Sequence, residues 1–156
     1  MSKKIPEGVL ATSRKARFNY HVLETFEAGI QLCGTEVKSI RNREVSIEEA
    51  FAGEKNHEIF LYNMHVRTYE YGNRNNHEPV RIRKLLLHKQ EIRKLKAKLS
   101  VDGLTLVPLD LHLTRGKIKV SLGLCKGKVQ SDKRATIKKR ESDLEARRAR
   151  AHANRR

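Results

Sequence analysis

Hydrophobic and polar positions alternate most regularly near the end of the chain. Leu109, Leu111 and Leu113 interleave with Asp110, His112 and Thr114, and Ile118, Val120, Leu122 and Leu124 interleave with Lys117, Lys119, Ser121 and Gly123. Period two over both runs, with Arg115-Gly116 between them, predicts a β-hairpin. Pro108 belongs at an edge or a bulge. Earlier, Phe18, Tyr20, Val22 and Phe26 alternate with Asn19, His21 and Thr25, which predicts a half-buried strand over 18–26. Glu27-Ala28-Gly29 then reads as a break before a short second strand at Ile30 and Leu32. Ile59 to Met64 is apolar on both faces and suits a central strand after a turn at Asn56-His57.

Helical spacing replaces this alternation in one main place. From Arg81 to Leu99, Leu85, Ile92, Leu95 and Leu99 fall on one side of a helical projection, while Lys89, Arg93 and Lys96 recur at i, i+4 and i+7 on another. The reading preferred is an extended Leu85 to Leu87 followed by a helix from about 88 to 99. Thr35 to Arg41 suits a short helix with Thr35 as its cap, and Ser46 to Glu49 matches a capping box, although Phe51-Ala52 could begin a strand instead. The polar stretch from Arg67 to Pro79 is a long surface loop, and Asp102-Gly103 is a turn. Five or six short strands with one inserted helix predict a mainly β fold, an oligonucleotide-binding-type barrel with short flanking helices, its open end plugged by the helix.

Charge divides the chain. The 156 residues carry 34 Lys and Arg against 18 Asp and Glu, a formal balance of +16. Residues 1–124 hold 22 basic and 14 acidic side chains, and residues 125–156 hold 12 and 4, so a fifth of the chain carries half of the excess. That last fifth has no aromatic residue and few large apolar ones, too few to offset the entropy of ordering itself. The division expected is a flexible arm over 1–12, a folded body over 13–124 and a basic tail over 125–156. The tail would be disordered alone and helical on a polyanionic surface. A helix start falls at Ser131 or Asp132, Ile137, Leu144 and Ala151 follow seven apart, and Gly127 between Lys126 and Lys128 would be a hinge.

Such an excess of cations opposes compactness unless a polyanion offsets it, and nucleic acid is the first candidate. No apolar run approaches the 18 residues or so of a membrane span, and no signal segment is visible, so the expectation is a soluble, cytoplasmic, monomeric protein without a membrane partner. Cys33 and Cys125 stand far apart without a CxxC spacing and are expected to be buried free thiols. Seven histidines form no HxxxH or HExxH, and no phosphate loop or GxSxG nucleophile elbow occurs. The expectation is therefore a protein with no catalytic residues, no metal and no cofactor. Arg14, Lys15, Arg17, Lys38, Arg41, Arg81, Arg83, Lys84, Lys89, Lys117 and Lys119 can neutralise phosphates, and Tyr20, Tyr69 and Tyr71 can offer faces to unpaired bases. His88, at the start of a cationic helix, either bonds a nucleotide or caps the helix.

Several blocks carry a resemblance. Ala16-Arg17-Phe18-Asn19-Tyr20, Glu27-Ala28-Gly29-Ile30, Gly34 to Ser39 (GTEVKS), Arg81 to Lys89 (RIRKLLLHK), Thr105 to Leu109 (TLVPL), Leu122 to Lys128 (LGLCKGK) and Asp132-Lys133-Arg134, in this order, resemble the small protein B family, tmRNA-binding proteins of bacterial trans-translation. Val129, Ser131 and Asn42-Arg43-Glu44 depart from that pattern. The resemblance implies a barrel that holds the tRNA-like domain of tmRNA and delivers alanyl-tmRNA to stalled ribosomes. The tail would enter the empty mRNA channel beside the small-subunit decoding region. By position, Tyr20, Glu27, Leu86, His88 and Lys119 would contact RNA, joined by Lys38, Arg83, Lys84 and Lys89 on charge. Lys126, Gly127, Lys128, Asp132, Lys133, Arg134 and Lys138 would engage the ribosome. The competing reading is a ribosomal-type structural RNA-binding protein.

Overall fold

The alternating stretch folds as the pattern demands, into two eleven-residue strands joined at Arg115-Gly116, both with positive φ as a tight hairpin turn requires. The computed structural model describes residues 8–72, 76–101, 103–128 and 130–153. In chain order its strands are β1 (Val9–Thr12), β2 (Tyr20–Ile30), β3 (Val45–Ser46), β4 (Phe51–Lys55), β5 (Glu58–Tyr62), β6 (His65–Val66), β7 (Arg83–Leu86), β8 (Leu104–Thr114) and β9 (Lys117–Gly127). The helices are α1 (Arg14–Asn19), α2 (Gly34–Arg41), α3 (Lys89–Leu99) and α4 (Gln130–Ala153).

Seven strands run in the order β1-β8-β4-β5-β7-β2-β9, and β9 returns to pair with β8. The six strands from β8 through β9 therefore close into a ring, which removes most of the open edges that an antiparallel sheet would otherwise expose, and β1 pairs with β8 beside it. Ala28, Ile59, Leu61, Leu85, Leu106, Leu111, Val120, Leu122 and Leu124 point into one core. Helix α3 lies against β4 and β8 and adds Ile92 and Leu95 to it, so the apolar side seen in the sequence is the buried side. The register slips between Pro108 and Asp110, where a proline can sit in a ladder without a missing donor. β5, between β4 and β7, is the central strand expected.

Several expectations are corrected. Val9–Thr12 is no arm but a strand paired with β8, while residues 1–7 lie outside the described residues. The strand expected from Phe18 starts at Tyr20, because residues 14–19 are helical. Ser13 Oγ accepts the Ala16 N–H at 3.2 Å, and the Glu48 carboxylate accepts those of Arg14 and Lys15 at 3.3 Å each. A carboxylate from 34 residues away completes that helix start, so no local pattern could announce it. Glu27-Ala28-Gly29 does not interrupt the sheet: β2 continues to Ile30, flanked there by both β9 and β7. Ser46 ends a strand rather than capping a helix, and the strand alternative at Phe51 holds. Helix α2 is capped at Cys33, not Thr35, and the Glu36 carboxylate takes the Cys33 N–H at 2.9 Å. Cys33 is exposed, and only Cys125 is the buried thiol expected, its pKa pushed up to about 11 by burial.

Candidate nucleic-acid interface

The outward face of β2, β9 and β8 carries two cross-strand rows. Glu27 pairs with Ser121, which pairs with Asp110, and Gly29 pairs with Lys119, which pairs with His112. Paired residues share a face, and the intervening Ala28, Val120 and Leu111 fill the core behind them. Polar groups therefore cluster here because of strand parity. The His112 imidazole is half-buried among them, its Nδ1 2.8 Å from Asp110 Oδ1 and 3.4 Å from Ser121 Oγ, its Nε2 3.6 Å from Glu27 Oε2. Asp110 orients the ring so that Nε2 faces Glu27.

Across Gly29 stands β7. A Cβ at position 29 would come 3.2 Å from Leu86 Cβ, so the absence of a side chain lets Leu86 lie close against β2. Leu86 is nonetheless 52% exposed. Just beyond it His88 is the N-cap of α3: its carbonyl accepts the Ile92 N–H at 3.0 Å, and Glu91 Oε1 accepts its N–H at 3.4 Å. The imidazole stays exposed. The capping half of the alternative for His88 holds, through its backbone, and the residue remains exposed beside Leu86. Glu27, Gly29, Leu86, Leu87, His88, Glu91 and Lys119 together line a concavity of about 380 Å³.

Four residues chosen in the sequence, Glu27, Leu86, His88 and Lys119, are brought together here from β2, β7, the start of α3 and β9. A carboxylate can accept from a ribose hydroxyl or a base amino group, an imidazole can donate, a lysine can hold phosphate, and an exposed leucine can pack on a base or sugar. His112, Asp110 and Ser121 were not among the sequence candidates. Their parity was legible; their neighbour β2 was not.

The remaining candidates scatter. Tyr20 begins β2, seven residues and about 23 Å from Glu27, and lines a separate concavity of about 540 Å³ with Lys15, Phe18 and Phe51. Lys38 Nζ sits 5.1 Å from the centre of the Tyr69 ring, and Tyr69 meets Tyr71 edge-on at 5.6 Å. That loop is fixed by Asn76, which bonds both backbone groups of Tyr69, and by His77, bridging Thr35 Oγ1 and the Val66 carbonyl at 2.9 Å each. Tyr71 is 74% exposed. Lys84 is drawn to Glu58 at 3.6 Å, and Lys89 is exposed on α3. Arg83 is a correction: it is fully buried and ion-paired with Glu36, so it cannot reach a phosphate.

The tail begins later than expected. Lys126 and Gly127 close β9 opposite His21 and Tyr20, so residues 125–127 belong to the barrel and Gly127 is a strand end rather than a free hinge. The Lys128 N–H donates to the Asn19 carbonyl at 2.8 Å and its Nζ to Thr136 Oγ1 at 2.9 Å. Gln130–Ala153 is already helical, 24 residues and about 36 Å long. Lys133 is half-buried, while Arg134 and Lys138 are exposed; the Asp132 side chain lies outside the described residues. Ile137 and Leu144 are exposed, and Arg140 lies 5.8 Å from the Phe18 ring. No helix among the described residues is long and apolar enough to cross a membrane.

A family model described as SmpB protein matches residues 10–152. The SsrA-binding protein of Levilactobacillus brevis is 52% identical over 151 residues, spanning 97% of this chain and 96% of that protein. That of Clostridium botulinum is 50% identical over 149 residues, spanning 96% of each. A solved chain from "tmRNA-SmpB: a journey to the center of the bacterial ribosome" is 48% identical with a TM-score of 0.64, over 76% of this chain and 84% of that one.

Proposed function

The chain belongs to the SmpB protein family, and on that premise we propose that it is a non-catalytic cytoplasmic adaptor that binds tmRNA and brings it to stalled ribosomes. The convergence of Glu27, Leu86, His88 and Lys119 on one concavity supports this reading most directly. The four come from segments far apart in sequence and combine one acceptor, one donor, one cation and one apolar contact, a set suited to a folded RNA shape rather than to phosphate alone. The body therefore selects tmRNA through its tRNA-like domain, with Lys38, Lys84, Lys89 and Tyr20 as outlying contacts.

The tail serves the ribosome. Lys126 near the end of β9, Lys128 just after it, and Lys133, Arg134 and Lys138 on α4 make a run of cations along this part of the chain. A single helix about 10–12 Å across is slim enough for an mRNA channel lined by phosphates. Delivery of alanyl-tmRNA then places α4 in the channel that a broken message leaves empty.

Sequencing the RNA that copurifies with the tagged protein from bacteria tests the reading. tmRNA should dominate, and Glu27→Ala/His88→Ala should lose it. Recovery of ribosomal RNA alone, in stoichiometric amounts, would contradict this and favour a structural ribosomal protein.

A further inference from the structure

Helix α3 has two cationic sides that the fold treats differently. Lys94 and Lys98 both bond the Glu24 carboxylate of β2, so their charge is compensated within the protein. Lys89, Arg93 and Lys96, on the other side, have no carboxylate within ion-pair distance among the described residues. With His57, Glu58 and Ile92 these three line a trough of about 410 Å³ whose apolar member, Ile92, is buried. Its one carboxylate, Glu58, is drawn to Lys84 at 3.6 Å, so the trough keeps a net positive charge.

His57 is built into this wall. Asn56 and His57 both adopt positive φ, 53° and 63°, in the turn between β4 and β5, and Glu54 Oε1 takes the His57 N–H at 2.8 Å. A non-glycine pair in that region is uncommon. The turn presents His57 Nδ1 to Lys96 Nζ at 3.1 Å. Since the ammonium has only protons to give, Nδ1 is the acceptor and Nε2–H remains a donor. Lys89 directly follows His88, so the trough opens beside the Glu27–His88 concavity and continues about 10 Å along α3 to Lys96.

We propose that Lys89, Arg93, Lys96 and His57 form a second contact on the same RNA, gripping the sugar–phosphate backbone of a strand that leaves the Glu27–His88 concavity along α3. The proposal rests on the RNA-binding reading above and extends it from Lys89 to Arg93, Lys96 and His57, which that reading does not use. Contact here is sequence-independent: three uncompensated cations and an N–H donor meet phosphate oxygens, and Ile92 offers an apolar floor to a sugar.

Fluorescence anisotropy with a labelled tmRNA transcript, titrated over a range of KCl concentrations, tests it. Each lost phosphate contact lowers the slope of log Kd against log salt by about one, so Arg93→Gln/Lys96→Gln should lower it by about two. Lys94→Gln/Lys98→Gln removes the same formal charge from the compensated side and should leave the slope as in wild type. Equal slopes for all three proteins, or an equal drop in both variants, would overturn the proposal. So would an unchanged tmRNA slope with weakened ribosome binding, which would give the trough to ribosomal RNA. If Glu27→Ala/His88→Ala weakens binding while Arg93→Gln/Lys96→Gln does not alter the slope, this proposal falls alone. If wild type does not bind tmRNA, the functional reading falls first.

Discussion

Arg83 of β7 donates its Nε–H to the Glu36 carboxylate of α2, and neither side chain is exposed to solvent. The rest of the guanidinium is also committed, to the carbonyls of Met64 at 2.7 Å, Arg81 at 2.9 Å and Pro79 at 3.2 Å. Glu36 in turn holds Arg81 at 2.5 Å and the Cys33 N–H. One buried carboxylate thus ties the start of α2 to the strand that leads into Leu86 and His88. The pair belongs to the architecture beneath the proposed RNA surface, not to that surface.

Replacing Glu36 by Gln strands a buried guanidinium, so the body should lose about 3–5 kcal/mol in urea unfolding. Burial alone would raise the Glu36 pKa, but hydrogen bonds from Arg81, the Cys33 amide and Arg83 outweigh it and hold the carboxyl below its ordinary 4.5. A depressed carboxylate stabilises fully above its unfolded value and ceases to as pH falls through its folded one. The gap between wild type and Glu36→Gln should be constant above about pH 5.5 and narrow below 4.5. A gap independent of pH would show that the charge of Glu36 is not what stabilises.

Glu27→Ala, His88→Ala and Lys119→Gln should each weaken tmRNA binding about tenfold, near 1.4 kcal/mol, without shifting the melting temperature by more than a degree or two. His112→Phe should weaken it less, since His112 orients Glu27 from behind. Titration and thermal melts of the same preparations separate the two effects. Unfolding of any of these variants would assign that residue to the fold instead.

The helix α4 lies outside the protection of the core. Its described contacts with the body are few, chiefly Arg140 on Phe18, and its apolar Ile137 and Leu144 meet solvent. An unsupported helix of this length is marginal in water. Its amides should exchange with deuterium far faster than those of β8 and β9 in the free protein, and slow on adding ribosomes. Strong protection without ribosomes would mean that the helix is fixed beforehand.

What the sequence made legible followed periodicity. Period two over Leu109 to Leu124 located the closing hairpin, and the helical offsets of Ile92, Leu95 and Leu99 located α3 with His88 at its start. What stayed hidden depended on partners distant along the chain. Phe18 and Asn19 read as the start of a strand, and residues 14–17 announced no helix, because Glu48, which completes that helix start, is 34 positions away. Arg83 looked like one more surface cation because nothing in its neighbourhood points to Glu36, 47 residues upstream. His112 was invisible as a companion of Glu27 until β9 was seen to lie between them. Helix in the tail was legible from the spacing of Ile137, Leu144 and Ala151; that it would form with so little covering it was not.

The division between an RNA-reading barrel and a ribosome-seeking helix meets its most direct test in a chain truncated after Gln130. Affinity for tmRNA and tagging of stalled nascent chains should be measured side by side with the full-length protein. Affinity should stay within about threefold, since Glu27, Leu86, His88 and Lys119 all remain, and tagging should vanish. A folded truncation that loses tmRNA, or one that still supports tagging, would contradict the account.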